Sequence, residues 1–160
     1  MNGIVAGAIA GAAGTLALDV ASYADMALRG RAASDMPSEV VRRLAERAGI
    51  ASLAAPPDRT DPATKNRRGA LGALSGYAVG LSIGIVYGCA RAAGAAIPVE
   101  LAGVLLGALA MAASDVPAVK LGATDLAQWD GAAWLSDAVP HLAYGVVTAA
   151  VAEALIESGG

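Results

Sequence analysis

Residues 69–90 run for twenty-two positions without a formal charge, and that stretch decides which solvent the chain can fold in. At ~1.5 Å of helical rise per residue it is long enough to cross a hydrocarbon core of ~30 Å. Three other apolar stretches, 3–28, 98–119 and 134–156, are comparably long and carry Asp19, Asp115, Asp137 and His141. Those charges require a bundle interior that tolerates them. With a mean hydropathy of +0.57 and 16% charged residues, the chain has too little polar surface for an ordinary soluble domain. The expectation is an all-α integral membrane bundle of four transmembrane helices, forming a single domain over 1–160.

The net charge of −3 averages two unlike regions. Residues 29–68 hold nine of the eleven basic residues against five acids, a balance of +4, and the rest holds two bases against nine acids, or −7. Basic loops stay in the cytoplasm, so loop 29–68 is placed inside, with both termini and the 92–97 turn outside and 121–133 inside. Arg91 is then the one base on the wrong side. The first basic residue is Arg29, so the opening apolar run lacks the positive flank of a signal peptide and reads as a retained helix. Within the loop, residues 37–48 read as a short amphipathic helix with Val40, Val41, Leu44 and Ala48 on one face and Gly49 at its end, suited to lie on the anionic inner leaflet. The Ala55-Pro56-Pro57-Asp58 and Asp61-Pro62 stretches read as extended linker. No aromatic interleaves the basic residues in a nucleic-acid-binding pattern, so the partners expected are the lipid bilayer and other membrane helices, with no nucleic acid. Trp129 and Trp134 suit the aromatic belt of the inner interface.

Six aromatics, none of them Phe, accompany twenty glycines, so large rings cannot fill the interior and close backbone approach must. Gly72, Gly76, Gly80, Gly84 and Gly88 recur at strict four-residue spacing along one stripe of the second helix, the pattern of a glycine zipper. Each costs about 1 kcal/mol of helix propensity relative to Ala, a cost that makes sense where another backbone comes close. Gly3, Gly7 and Gly11 on the first helix, and Gly103 and Gly107 on the third, are compatible partners. Residues 3–10 also align with 103–110, and each helix has an Asp-Val pair near its inner end, Asp19-Val20 and Asp115-Val116, which suggests a duplicated helical hairpin.

Depth organises the ionisable residues. Asp19 lies sixteen residues from Gly3, Asp115 seventeen from Pro98 and Asp137 sixteen from Glu153, about 24–26 Å from the outer boundary at helical rise and one turn short of the inner interface. His141 lies one turn deeper than Asp137, and Tyr144 and Thr148 continue its face; Thr15, Asp19 and Ser22 form a similar stripe. Asp19, Asp115, Asp137, His141 and Tyr144 therefore make the candidate polar or ion cluster. Pro140 frees the carbonyl of Ser136 if the last helix is continuous; alternatively Asp137 caps a helix beginning there, with Pro140 in its first turn. Such a cluster can carry a proton or cation, or it can be structural, with the carboxylates pairing with Arg29 or Arg31 and bonding tyrosines. Neither a nucleophile arrangement nor metal-ligand spacing accompanies the lone His, and the single cysteine, Cys89, cannot form an internal disulfide, so no enzyme activity, cofactor or metal is expected.

The residues Gly11-Ala12-Ala13-Gly14-Thr15, Arg29-Gly30-Arg31, Pro37, Gly122, Trp129, Trp134 and the string Asp137-Ala138-Val139-Pro140-His141-Leu142-Ala143-Tyr144-Gly145 resemble the YagU-like inner-membrane family of bacteria. That resemblance implies a bacterial plasma-membrane location and a domain of unknown function loosely linked to acid tolerance, with weight on residues 137–145. The function expected is a non-enzymatic packing or accessory module, self-associating or part of a larger assembly, with a small proton or cation conduit as the alternative and a membrane-embedded enzyme third.

Overall fold

A computed structural model describes residues 1–157. Four long helices form the bundle: α1 (Gly3–Arg29), α4 (Pro62–Ala92), α5 (Val99–Leu121) and α6 (Gly131–Glu157), with α2 (Met36–Arg47) and the single turn α3 (Ala51–Ala54) in the loop between the first two. All four are long and apolar enough to cross a membrane. The chain is a multi-pass helical membrane protein.

Local chemistry explains the helix ends. Asn2 accepts the amide of Ile4 at 2.9 Å and starts α1; Gly30, at φ 64°, ends it in the left-handed conformation that glycine adopts without strain. Asp61 accepts the amide of Thr64 at 3.0 Å, with Pro62 at the first helical position, where its missing N–H costs nothing. The expected Asp61-Pro62 linker is thus a helix start, and α4 reaches seven residues below the uncharged run, through Lys65, Arg67 and Arg68. The other proline stretch, expected to be extended, instead holds a 3₁₀ turn over Pro57–Arg59. Asp130 accepts the amide of Ala133 at 2.7 Å and starts α6 upstream of Trp134. Asp137 and Pro140 therefore lie inside a continuous helix, which rules out the reading of Asp137 as a cap.

Side-chain size is sorted opposite to that in a water-soluble core. The buried apolar residues are mostly Ala6, Ala10, Ala102, Ala110, Ala118, Ala149 and Ala152, while Ile4, Ile9, Leu16, Leu74, Leu105, Leu109 and Leu135 point outward. In lipid, outward leucines cost nothing, and small residues inside let helices close on one another. α1 packs between α4 and α6, and α5 packs on α6, whereas α4 and α5 touch only lightly.

The first loop folds back on the end of the bundle where α1 finishes and α4 begins. Helix α2 rests Pro37 on Gly72, where an added Cβ would sit 2.8 Å from the proline Cβ, and Arg47 donates to the Lys120 carbonyl at 3.0 Å. Its buried positions lie outside the apolar face Val40, Val41, Leu44 and Ala48. Arg42 and Ala45 are buried, while Leu44 is 51% exposed and Ala48 also faces outward. Arg42 turns inward because Glu39, bonded through Nε at 2.7 Å, and Glu46 neutralise it. The Arg42 hydrogen bond holds the Glu39 carboxyl below its usual pKa, with a further bond from Arg43, and Glu39 in turn raises that of Arg42.

Candidate functional site

The ionisable residues that share a depth do not share a site. Asp115 on α5 is 4% exposed and lies beside the Asp137 carboxyl and the His141 ring of α6. One turn apart on α6, the His141 Nδ1 and Asp137 Oδ2 are 3.5 Å apart, too far for a well-formed hydrogen bond. Nδ1 lies instead 2.8 Å from the Asp137 carbonyl oxygen, to which it donates, and Asp137 Oδ2 is buried without a hydrogen-bond donor. The ring borders a groove of about 240 Å³ between α5 and α6, walled by Val104, Gly107, Met111 and Leu142. Among the described residues, no group of three or more His, Cys, Asp or Glu side chains is placed to hold a metal ion.

Asp19 belongs elsewhere. Its carboxylate accepts the Tyr77 hydroxyl at 3.1 Å across the α1–α4 seam. Tyr144, 1% exposed, sends its hydroxyl to the Gly80 carbonyl at 2.7 Å, joining α6 to α4. Nor do Arg29 and Arg31 serve the cluster. Both pair with Asp25, and Arg29 also bonds the Ser136 hydroxyl, a link between the end of α1 and the first turns of α6. At the opposite end of the bundle, Arg91 pairs with Glu153. Trp129 and Trp134 meet edge to face, ring centres 5.2 Å apart, and the Trp129 indole donates to Thr124 at 3.0 Å.

The glycines divide in the same way. Gly88, Gly84 and Gly80 run antiparallel to Gly3, Gly7 and Gly11. A Cβ on Gly84 would lie 2.5 Å from the Gly11 Cα, one on Gly88 2.6 Å from the Gly7 Cα, and one on Gly11 2.6 Å from the Gly80 carbonyl oxygen. Gly72 meets Pro37, and Gly76 meets nothing within 4 Å. Gly103 and Gly107 turn to α6 rather than α4, where a Cβ would approach the Cα atoms of Val146 and Leu142 at 3.1 Å. Gly145 completes that seam from the other side, 2.8 Å from the Gly107 Cα. The chain thus holds two glycine-packed pairs, α1 with α4 and α5 with α6.

Sequence reasoning passed over Asp25, Ser136, Tyr77 and the packing role of Gly145. Asp25 stands four residues before Arg29, a spacing that signals an ion pair on a helix. Tyr77 and Ser136 have no such local signal, because their partners come from other helices. Searches against protein-family models, curated proteins and solved structures find no match.

Proposed function

We propose that the protein is a non-enzymatic module of the bacterial inner membrane that works by helix–helix association, with itself or as an accessory subunit, through the free face of α4. Gly76 carries this reading. It is exposed and has open space where a Cβ would stand, so its cost of about 1 kcal/mol in helix propensity has no return inside the monomer. A neighbouring helix approaching there would supply one. In keeping with this, only 17% of the most apolar stretch of α4 is buried, against 33% in each of the other three helices. The residues resembling the YagU-like family and the basic 29–68 segment support an inner-membrane location, that segment cytoplasmic and both termini outside.

Native mass spectrometry of the gently extracted protein tests this. The wild type should appear as an oligomer or with a stoichiometric partner, and Gly76→Leu should release monomer without lowering its unfolding temperature. A wild type that is monomeric and partner-free, or an assembly indifferent to Gly76→Leu, would end the proposal.

The runner-up is a proton or cation conduit, favoured by the unbonded Asp137 Oδ2 beside His141 and Asp115. It requires a pH- or cation-dependent flux in proteoliposomes that Asp137→Asn abolishes in a stably folded protein. Absence of flux in the wild type leaves the cluster a structural role.

A further inference from the structure

Arg68 is 4% exposed, yet every partner of its guanidinium is neutral. Nε donates to the Leu53 carbonyl at 2.9 Å, the Nη atoms to the Ala55 carbonyl at 2.5 Å and the Thr60 hydroxyl at 3.3 Å. The two acids of residues 53–61 are engaged elsewhere: Asp58 lies 3.7 Å from Arg59 and Asp61 caps α4. A buried charge without a counter-charge is costly. By holding residues 53–60 over the first turns of α4, Arg68 also shapes a cleft of about 460 Å³ walled by Ser52, Leu53, Arg67, Ala70 and Leu71. Arg67 is exposed and, among the described residues, forms no ion pair. The cleft is therefore lined by one unpaired guanidinium, that of Arg67, and by no acid, with Arg68 buried in the segment that supports it.

The position of the cleft identifies what would balance the Arg67 charge. Arg67 and Arg68 are the last charged residues before the uncharged run 69–90, so the cleft lies where headgroups give way to hydrocarbon. From Arg67 one face of α4 continues through Leu71, Leu74, Ala78 and Leu81, at spacings of four, three, four and three residues. Leu71, Leu74 and Leu81 are 43%, 62% and 37% exposed, and Ala78 is exposed too. From Leu71 to Leu81 is ~15 Å at helical rise, half of a ~30 Å core and so the depth of one leaflet.

We propose that the cleft between residues 51–54 and the start of α4 binds an anionic phospholipid of the adjoining leaflet, its phosphate on Arg67 and the Ser52 hydroxyl and an acyl chain along Leu71, Leu74, Ala78 and Leu81. Selection against phosphatidylcholine follows from charge. Choline brings a cation to a cleft with no carboxylate to receive it, beside the Arg67 guanidinium that repels it.

The test uses the full-length protein, delipidated in detergent, with phosphatidylglycerol or phosphatidylcholine added and bound lipid counted by native mass spectrometry. Phosphatidylglycerol should be retained about fivefold better, the effect of roughly one basic residue at a membrane surface. Arg67→Gln should remove that preference without changing helicity or unfolding temperature, and Leu71→Ala with Leu74→Ala should weaken both lipids alike. A phosphatidylglycerol bearing a diazirine on its acyl chain should crosslink within residues 71–81. Equal retention of the two lipids by the wild type, a preference that survives Arg67→Gln, or crosslinking elsewhere would overturn the proposal. Displacement of the lipid by millimolar inorganic phosphate would also overturn it, as the mark of a free-anion site.

Discussion

One methyl group placed at two positions of α4 should change stability in opposite directions. At Gly84 a Cβ would come to rest 2.5 Å from the Gly11 Cα and 2.7 Å from the Gly11 amide nitrogen. Carbon atoms prefer ~3.5–4.0 Å, so α1 and α4 would have to separate by about 1 Å, and the obstacle is backbone that cannot rotate away. Overpacking of this kind costs about 1–3 kcal/mol, against a gain of about 1 kcal/mol in helix propensity from Gly to Ala. Separation would also loosen the neighbouring contacts at Gly80 and Gly88, which puts Gly84→Ala at a net loss of roughly 1–2 kcal/mol. At Gly76, two turns away, only the propensity term remains, and Gly76→Ala should gain up to about 1 kcal/mol. Both variants should be unfolded with SDS in mixed micelles, with far-ultraviolet circular dichroism and the two tryptophans as probes, under conditions where the protein is monomeric. Gly84→Ala equal to or more stable than the wild type would refute the backbone-contact account of the α1–α4 seam. A Gly76→Ala loss as large as that of Gly84→Ala would do the same.

Other consequences are as definite. Tyr144→Phe should cost about 1 kcal/mol, the net worth of a buried hydrogen bond, measured in the same SDS titration; no loss would mean that the bond does not hold α6 to α4. Glu39 has a folded pKa below its ordinary 4.5, so its contribution to docking α2 is fully present above pH 4.5 and is lost as pH falls through the lower folded value. Hydrogen exchange in residues 36–47, corrected for the intrinsic rate, should therefore accelerate only in acid, and Glu39→Gln should remove that acid dependence. With Cys89 replaced by alanine, an impermeant thiol reagent should label Ala96→Cys and spare Ser52→Cys in intact cells. The reverse pattern would invert the proposed orientation and move the lipid cleft to the outer leaflet.

Length and hydropathy are properties of single segments, so the four membrane spans and their places along the chain were legible before any packing was known. Helix ends were legible only where a cap could be recognised. Asp61-Pro62 looked like a linker for want of any sign that a helix followed, although the same pair is also a helix start. The depth of Asp19, Asp115 and Asp137 could be counted along each helix, since rise per residue is fixed. Their grouping could not, since it depends on the rotation of each helix about its axis, which packing against neighbours sets. That rotation turned Asp19 to Tyr77, brought Asp115 to Asp137 and His141, and sent Arg29 and Arg31 to Asp25. The glycine stripe shows the same division. Its four-residue period predicted a close approach, but the partners came from packing: Gly80, Gly84 and Gly88 meet α1, Gly72 meets Pro37 and Gly76 faces outward. A straight helix drifts from a strict four-residue repeat, at 3.6 residues per turn, so five glycines in one row cannot all face the same partner.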